Sequence, residues 1–172
     1  KQHQLKAPMP VKISVVVFGS RTEIVLQLTE EWGPKEQIKL YQALDSGAGG
    51  TTPDHKGLSL VEQQIVASKW EQDQAREKKP ALKDHGWKPQ RFVIATADGG
   101  SDDSRAVKLA NQRLANMGVP VDLFLIAPEE DENLKTLAKA AYQSVTPVSD
   151  VGQLAEKGLK RLTERIKGAY GR

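Results

Sequence analysis

Short apolar runs and longer stripes of apolar residues alternate along the chain, and this pattern predicts a series of strands and helices. Residues 11–18 are nearly continuous in β-branched side chains, which is typical of a strand buried on both faces. Residues 91–97 and 119–127 are two further apolar runs that predict buried strands. The short run 144–148 contains Pro147, which favours an edge strand because proline cannot donate a hydrogen bond to the sheet.

One more strand and five helices complete the pattern. Residues 23–28 follow a short turn after the first strand, so we expect an antiparallel hairpin. Apolar residues at helical spacing predict helices over residues 34–44, 53–79, 101–118, 134–143 and 151–167. Strands that alternate with helices in this way indicate an α/β fold with a mostly parallel sheet, one antiparallel edge strand, and helices on both faces.

The composition limits the class of protein. A chain of 172 residues with 38% apolar side chains suits a single domain over residues 1–172, in which residues 1–10 form a linker. The net charge of +3 comes from scattered lysines and arginines without a basic stripe, so we expect no nucleic-acid partner. No apolar run reaches the length of about 20 residues that a membrane helix needs. The chain has no cysteine, and we expect a cytoplasmic protein without thiolate metal sites.

An acidic, glycine-rich turn follows the third predicted strand. Asp98 stands directly after that strand, and Gly99 and Gly100 let the backbone turn sharply there. In open parallel sheets, ligands bind beyond the carboxyl ends of the strands. Asp98 is therefore a candidate to hold a cation, either directly or through water.

A second glycine-rich loop, residues 47–50, leads into Thr51 and Thr52 at a predicted helix start. Hydroxyl oxygens suit hard cations such as Mg²⁺. A phosphate-binding loop is disfavoured, because it requires lysine at the place where Thr51 stands. The simpler alternative is a glycine hinge followed by a threonine that caps the helix.

Acidic residues beside both loops have a simpler role at helix starts. We expect Ser101 or Asp102 to cap the helix after the Asp98 turn, and this capping role also accounts for Asp103. Asp54 lies near the positive end of the helix after the glycine-rich loop.

The two loops together resemble those of the von Willebrand factor type A domain, also called the integrin I-like domain. The motifs that carry the resemblance are Gly-Gly-Thr-Thr-Pro at residues 49–53 and Ala-Thr-Ala-Asp-Gly-Gly at residues 95–100. Residues 11–28 resemble the family's second and third strands, and residues 118–127 resemble its fifth. The resemblance covers the chain from Val11 onward and implies a three-layer, Rossmann-like, doubly wound sheet.

The resemblance also implies a function. Domains of this family bind Mg²⁺ or Mn²⁺ at a metal-ion-dependent adhesion site, mediate protein–protein contact, and are not usually enzymes. By motif, Thr51 would be a hydroxyl ligand of the metal and Asp98 an acidic ligand that often acts through water. The residues that would shape the loops around the metal are Gly49, Gly50, Thr52, Gly99 and Gly100. The expected partner is a protein that offers an acidic residue to the metal.

The chain departs from the family pattern at its start. The family's first ligand motif, Asp-x-Ser-x-Ser at the end of the first strand, does not occur in residues 1–172. We therefore expect the first strand and first helix to lie upstream of Lys1, or to come from another polypeptide. Thr51 and Asp98 alone would hold Mg²⁺ weakly or not at all, because this ion requires about six oxygen ligands.

Three functions are compatible with these residues. The first is a metal-dependent protein-binding module, as the resemblance implies. The resemblance also suggests that such a module works within a multi-subunit or AAA+-associated assembly. The second is a metal-dependent phosphoester hydrolase that uses Asp98, Asp102 and Asp103, with His55 as a weak candidate for the general base. The third is a structural subunit that keeps the fold without the metal. We expect the first function, with no catalytic residue.

Overall fold

The described part of the chain folds into five strands and five helices in the predicted order. The structure is a computed structural model that describes residues 11–47, 50–78, 90–128 and 131–170. The elements are β1 (Ile13–Phe18), β2 (Thr22–Thr29), α1 (Pro34–Gly47), α2 (Asp54–Lys78), β3 (Val93–Ala97), α3 (Ser104–Asn116), β4 (Val121–Ile126), α4 (Glu132–Ala141), β5 (Ser144–Val148) and α5 (Val151–Tyr170). The predicted linker at residues 1–10 and the loop residue Gly49 lie outside the described residues. Within the described ranges, no helix is both long enough and apolar enough to cross a membrane.

The strands form two hydrogen-bonded sheets. β1 and β2 make an antiparallel hairpin in which Val16 lies opposite Ile24 and Phe18 opposite Thr22, which confirms the predicted hairpin. β3, β4 and β5 form a parallel sheet with β4 in the centre and β5 at the predicted edge. The predicted α/β class is confirmed. Among the described strands, β1 pairs only with β2 and β3 only with β4, so each has one unpaired edge.

Helix α2 packs on the β1–β2 hairpin and runs antiparallel to β1. At the start of the helix, Gly57 lies against the ring of Phe18, the last residue of β1. Two turns later, Gln64 Oε1 accepts a hydrogen bond of 2.9 Å from the hydroxyl of Ser14, near the start of β1. The carboxyl end of β1 therefore lies at the N-terminal end of α2.

The same helix also fixes the direction of β3. Just before β3, the Arg91 guanidinium donates a hydrogen bond to Gln72, near the end of α2. Beyond the carboxyl end of β3, Asp102 is hydrogen-bonded to Thr52, just before the start of α2. β1 and β3 are therefore parallel to one another, and their carboxyl ends lie at the same end of the domain. We call the space between their unpaired edges the open slot.

The core lies between the parallel sheet and helices α2, α3 and α4. Its main residues come from α2 (Leu58), β3 (Ala95, Ala97), α3 (Val107, Ala110, Leu114), β4 (Leu123, Leu125) and α4 (Ala138, Ala141). Helix α3 ends at Asn116 with Met117 as its C-cap, and Gly118, the predicted stop residue, follows with a φ of +74°. Strand β4 is buried from Val121 to Leu125, as predicted, and this buried stretch includes the charged Asp122.

The burial of β1 and β3 differs from the prediction that both are fully buried strands. In β3, Ala95 and Ala97 face the core, whereas Ile94 is 41% exposed and Thr96 is also exposed. In β1, most residues are half-buried and Ile13 is exposed. Helix α5 packs on β4 and β5, so that the outer face of β3 is left without this cover.

A buried ion pair holds α5 on the parallel sheet. Asp122 of β4 is 1% exposed and accepts hydrogen bonds of 2.7 to 2.9 Å from the guanidinium groups of Arg161 and Arg165. Burial alone would raise the pKa of Asp122, but the hydrogen bonds from Arg165, Arg161 and Ser144 outweigh it and hold this pKa well below its ordinary value. Asp122 and these two arginines form the β4–α5 clamp.

We predict that Asp122→Asn lowers the free energy of unfolding at pH 7 by about 3 kcal/mol, because both arginines lose their charge partner. This value is at the low end for buried pairs, since the Arg161 and Arg165 side chains are 34% and 28% exposed. The folded pKa of Asp122 lies below the unfolded value of about 3.9, so the clamp stabilises fully above that pH and loses its contribution as the pH falls further.

Urea unfolding of both proteins between pH 7 and pH 2 measures this difference. It should be constant down to about pH 5 and shrink below about pH 4. Glu132→Gln, which removes the charge of the exposed partner of Lys135, is the control and should change little. A difference that stays the same in acid would contradict the clamp.

Candidate metal centre

The two loops singled out by the sequence lie side by side. The Thr52 amide donates a hydrogen bond of 2.9 Å to Asp102 Oδ1, although the two residues are 50 positions apart. The Asp102 amide donates in return to the Thr52 carbonyl at 3.1 Å. A Cβ atom added to Gly99 would lie 3.7 Å from Thr52 Oγ1, so the Asp98 turn and the threonines are in direct contact.

A third segment, the turn after β1, joins the two loops. Gly50 has a φ of +100°, a conformation that side chains other than glycine rarely adopt. A Cβ atom added there would lie 3.5 Å from the Cβ atom of Ser20. The turn after β1, the threonine loop and the Asp98 turn therefore converge at the carboxyl end of the open slot.

Thr51 and Asp98, the two predicted ligands, are both exposed at this point. Within the described part of the chain, neither side chain makes a hydrogen bond, so both have oxygen atoms available for a ligand. The described residues contain no group of three His, Asp or Glu side chains that could hold a metal ion. Of the oxygen atoms that a divalent cation would need, this site thus presents one hydroxyl and one carboxylate.

The other predicted loop residues have separate surroundings. Gly99 contacts Thr52, as described above. Gly100 lies against Leu134 and Leu137 of α4, at 3.7 and 3.8 Å from an added Cβ atom. Gly100 therefore supports the Asp98 turn from the side of α4.

The helix caps agree with the prediction at Asp103 and differ from it at Asp102 and at the start of α2. The cap of α3 is Asp103, whose carboxylate accepts a hydrogen bond of 2.9 Å from the Ala106 amide. Asp102, one of the two expected caps, instead accepts a hydrogen bond from the Thr52 amide. Helix α2 begins at Asp54, and the Pro53 carbonyl accepts its first hydrogen bonds, so neither predicted threonine occupies the cap position. The short-range pattern could not distinguish neighbouring polar residues whose partners lie in a different loop.

Asp54 has a role that the sequence did not reveal. It is 2% exposed, and its carboxylate accepts hydrogen bonds of 2.6 Å from Ser101 Oγ and 2.7 Å from Tyr142 Oη. Burial, followed by the charge of Asp54 and the hydrogen bond to it, raises the pKa of Tyr142 well above its ordinary value. Tyr142 is 88 positions away from Asp54, and no local pattern connects the two residues.

The fold and the converging loops define a Rossmann-like α/β domain with a candidate cation site at the carboxyl ends of its strands. The chain belongs to the von Willebrand factor type A domain family, whose model matches residues 3–159. Domains of this family are protein-interaction modules, and they often bind a divalent metal.

Other comparisons add less. A comparison with curated proteins finds no match. One similar solved structure is that of proximal thread matrix protein 1 from the mussel byssus, with 18% sequence identity and a TM-score of 0.49. The match covers 84% of this chain and 32% of that chain, so the present chain spans about a third of that protein.

We predict that Gly57→Ala destabilises the domain by about 1–3 kcal/mol, because the added methyl group overpacks the contact that seats α2 beside the loops. The new Cβ atom would lie 2.8 Å from Cδ1 of Phe18. Gly158→Ala in α5 is the matched control: nothing lies within 4 Å of its added Cβ atom. Alanine there should stabilise by about 0.4–1 kcal/mol.

Thermal and urea unfolding of the two variants measure these effects. Opposite signs are expected for the two substitutions. A Gly57→Ala variant as stable as the unchanged protein would show that α2 does not rest on Phe18 as described.

Proposed function

We propose that this domain is a metal-dependent protein-binding module in which Thr51 and Asp98 hold Mg²⁺ or Mn²⁺ and a partner's acidic side chain completes the metal shell. The reciprocal hydrogen bonds between Thr52 and Asp102 carry this proposal, because they hold the loops of both ligands together. The exposure of Thr51 and Asp98 leaves their oxygen atoms accessible to a partner.

The chemistry of the site fits a hard divalent cation. A hydroxyl and a carboxylate are oxygen ligands of the kind that Mg²⁺ prefers, but this ion needs about six oxygens. Water and the partner's carboxylate would supply part of the remainder. We propose that a further strand in the open slot supplies the rest, since a strand parallel to β1 and β3 would end among the three converging segments.

The family resemblance gives that strand its chemistry. In the family, the first strand ends in Asp-x-Ser-x-Ser, a motif rich in the oxygen atoms that the site lacks. The exposed Ile94 on the outer face of β3 also agrees with a segment that adds cover there. The chain's own part in binding is to position Thr51 and Asp98, while the bound cation supplies the positive charge that attracts a carboxylate.

A hydrolase is the less favoured function. It would use Asp102 and Asp103 beside Asp98, yet these two carboxylates accept hydrogen bonds from the amides of Thr52 and Ala106. Loss of phosphoester turnover in Asp98→Ala would favour the hydrolase. A cytoplasmic location and a place in a multi-subunit or AAA+-associated assembly remain proposals based on composition and on the family resemblance.

We predict that Mn²⁺ raises the melting temperature of the full-length protein, and that Thr51→Val or Asp98→Asn removes this rise. At a Mn²⁺ concentration ten times the Kd, the gain in stability is about 1.4 kcal/mol. This corresponds to about 3–6 °C in a domain of this size. Scanning calorimetry with and without the metal measures the rise.

Asp103→Asn is the matched control for these variants. It removes a nearby carboxylate that caps α3, and asparagine caps a helix about as well as aspartate. This variant should keep the full response to Mn²⁺. If Mn²⁺ has no effect on the unchanged protein, the metal-free structural subunit becomes the better account.

A further inference from the structure

Asp54 is a buried carboxylate at the start of α2 that joins three separate segments. Its Oδ1 atom accepts a hydrogen bond of 2.6 Å from Ser101 in the Asp98 turn, and one of 3.1 Å from the amide of His55. Its Oδ2 atom accepts a hydrogen bond of 2.7 Å from Tyr142, which lies between α4 and β5. Both carboxylate oxygens are therefore occupied.

The hydrogen bonds to this carboxylate fix the relative positions of the segments that it connects, and we call this group of bonds the Asp54 joint. Within the described residues, no Lys or Arg forms an ion pair with Asp54. Its negative charge is therefore stabilised by neutral hydroxyl and amide donors. A buried carboxylate is costly unless each oxygen is hydrogen-bonded. Hydrogen bonds to a charged group are short and about twice as strong as neutral ones, and they fix the geometry of what they join. An uncharged side chain of similar size could fill this space, so the charged carboxylate indicates a role in hydrogen bonding rather than in packing alone.

The position of this joint relates directly to the two candidate ligands. Asp54 comes three residues after Thr51, and Ser101 comes three residues after Asp98. The hydrogen bond between Asp54 and Ser101 therefore connects the two loops at the same distance, three residues, beyond each candidate ligand. Together with the hydrogen bonds between Thr52 and Asp102, it leaves the two loops little freedom to separate.

We propose that Asp54 is the positioning residue of the candidate cation site. It holds the Thr51 loop against the Asp98 turn, and Tyr142 anchors this joint to α4 and β5. Its consequence for cation binding rests on the function proposed above. Its effect on the placement of the loops does not require a metal.

Amide hydrogen exchange and Mn²⁺ binding test this role separately. The variants are Asp54→Asn and the milder Tyr142→Phe, which removes one hydroxyl and keeps the ring in the core. We expect the Thr52 and Asp102 amides to exchange about tenfold faster or more in both variants, since a hydrogen bond to a charged group contributes enough for such a change. The exchange rates of amides in the central strand β4, such as that of Leu123, should change only as much as the change in global unfolding free energy requires.

Glu62→Gln is the matched control. It breaks the 2.8 Å ion pair with Arg113, another link between α2 and α3, without touching the loops. This variant should leave the Thr52 and Asp102 amides unchanged. The Mn²⁺ affinity, followed by paramagnetic broadening of the Thr51 and Asp98 signals, should fall about tenfold or more in Asp54→Asn and Tyr142→Phe but not in Glu62→Gln.

The outcomes separate this inference from the function on which it rests. Unchanged exchange at Thr52 and Asp102 in Asp54→Asn and Tyr142→Phe overturns the positioning role, as does faster exchange that extends equally to Leu123. If the unchanged full-length protein shows no broadening by Mn²⁺, the proposed metal site is overturned. Local acceleration of exchange in that case still supports the role of Asp54 in placing the loops.

Discussion

Helix α2 joins two sheets that strand pairing does not connect. Its first turn rests on Phe18 at the carboxyl end of β1, and its last turns are hydrogen-bonded through Gln72 to Arg91, just before β3. Strands of one sheet are normally aligned by their own hydrogen bonds. Here the helix sets the relative direction of β1 and β3, and it therefore also brings the loops at their carboxyl ends to one place. The candidate site depends on this alignment more than on any single loop residue.

The open slot and the candidate site are two aspects of the same geometry. Unpaired backbone groups along β1 and β3 favour an added strand, and the converging loops at the end of the slot favour added oxygen ligands. One inserted segment would meet both needs. The exposed Ile94 and Ile13 mark the strands that would gain cover from it. Stability and metal binding are therefore expected to increase together when the slot is filled.

Local patterns in the sequence were sufficient to predict the helices and strands, but they did not predict the long-range contacts between them. The apolar run of β4 and the stop at Gly118 depend on nearby residues, and both were predicted correctly. The joint between Asp54 and Tyr142 spans 88 positions, and the clamp on Asp122 reaches from a central strand to the last helix. Such contacts follow from how the elements pack, which no short motif encodes. The half-exposed face of β3 was missed for the same reason, because burial depends on neighbours outside the strand itself.

The proposed function requires Thr51 and Asp98 to share one divalent cation at the end of the open slot. Anomalous diffraction from Mn²⁺-soaked crystals of the full-length protein tests this sharing most directly. We expect one Mn²⁺ peak within coordination distance of Thr51 Oγ1, with Asp98 bound to the ion directly or through one water. Ordered Thr51 and Asp98 side chains with no peak between them would contradict a shared cation site.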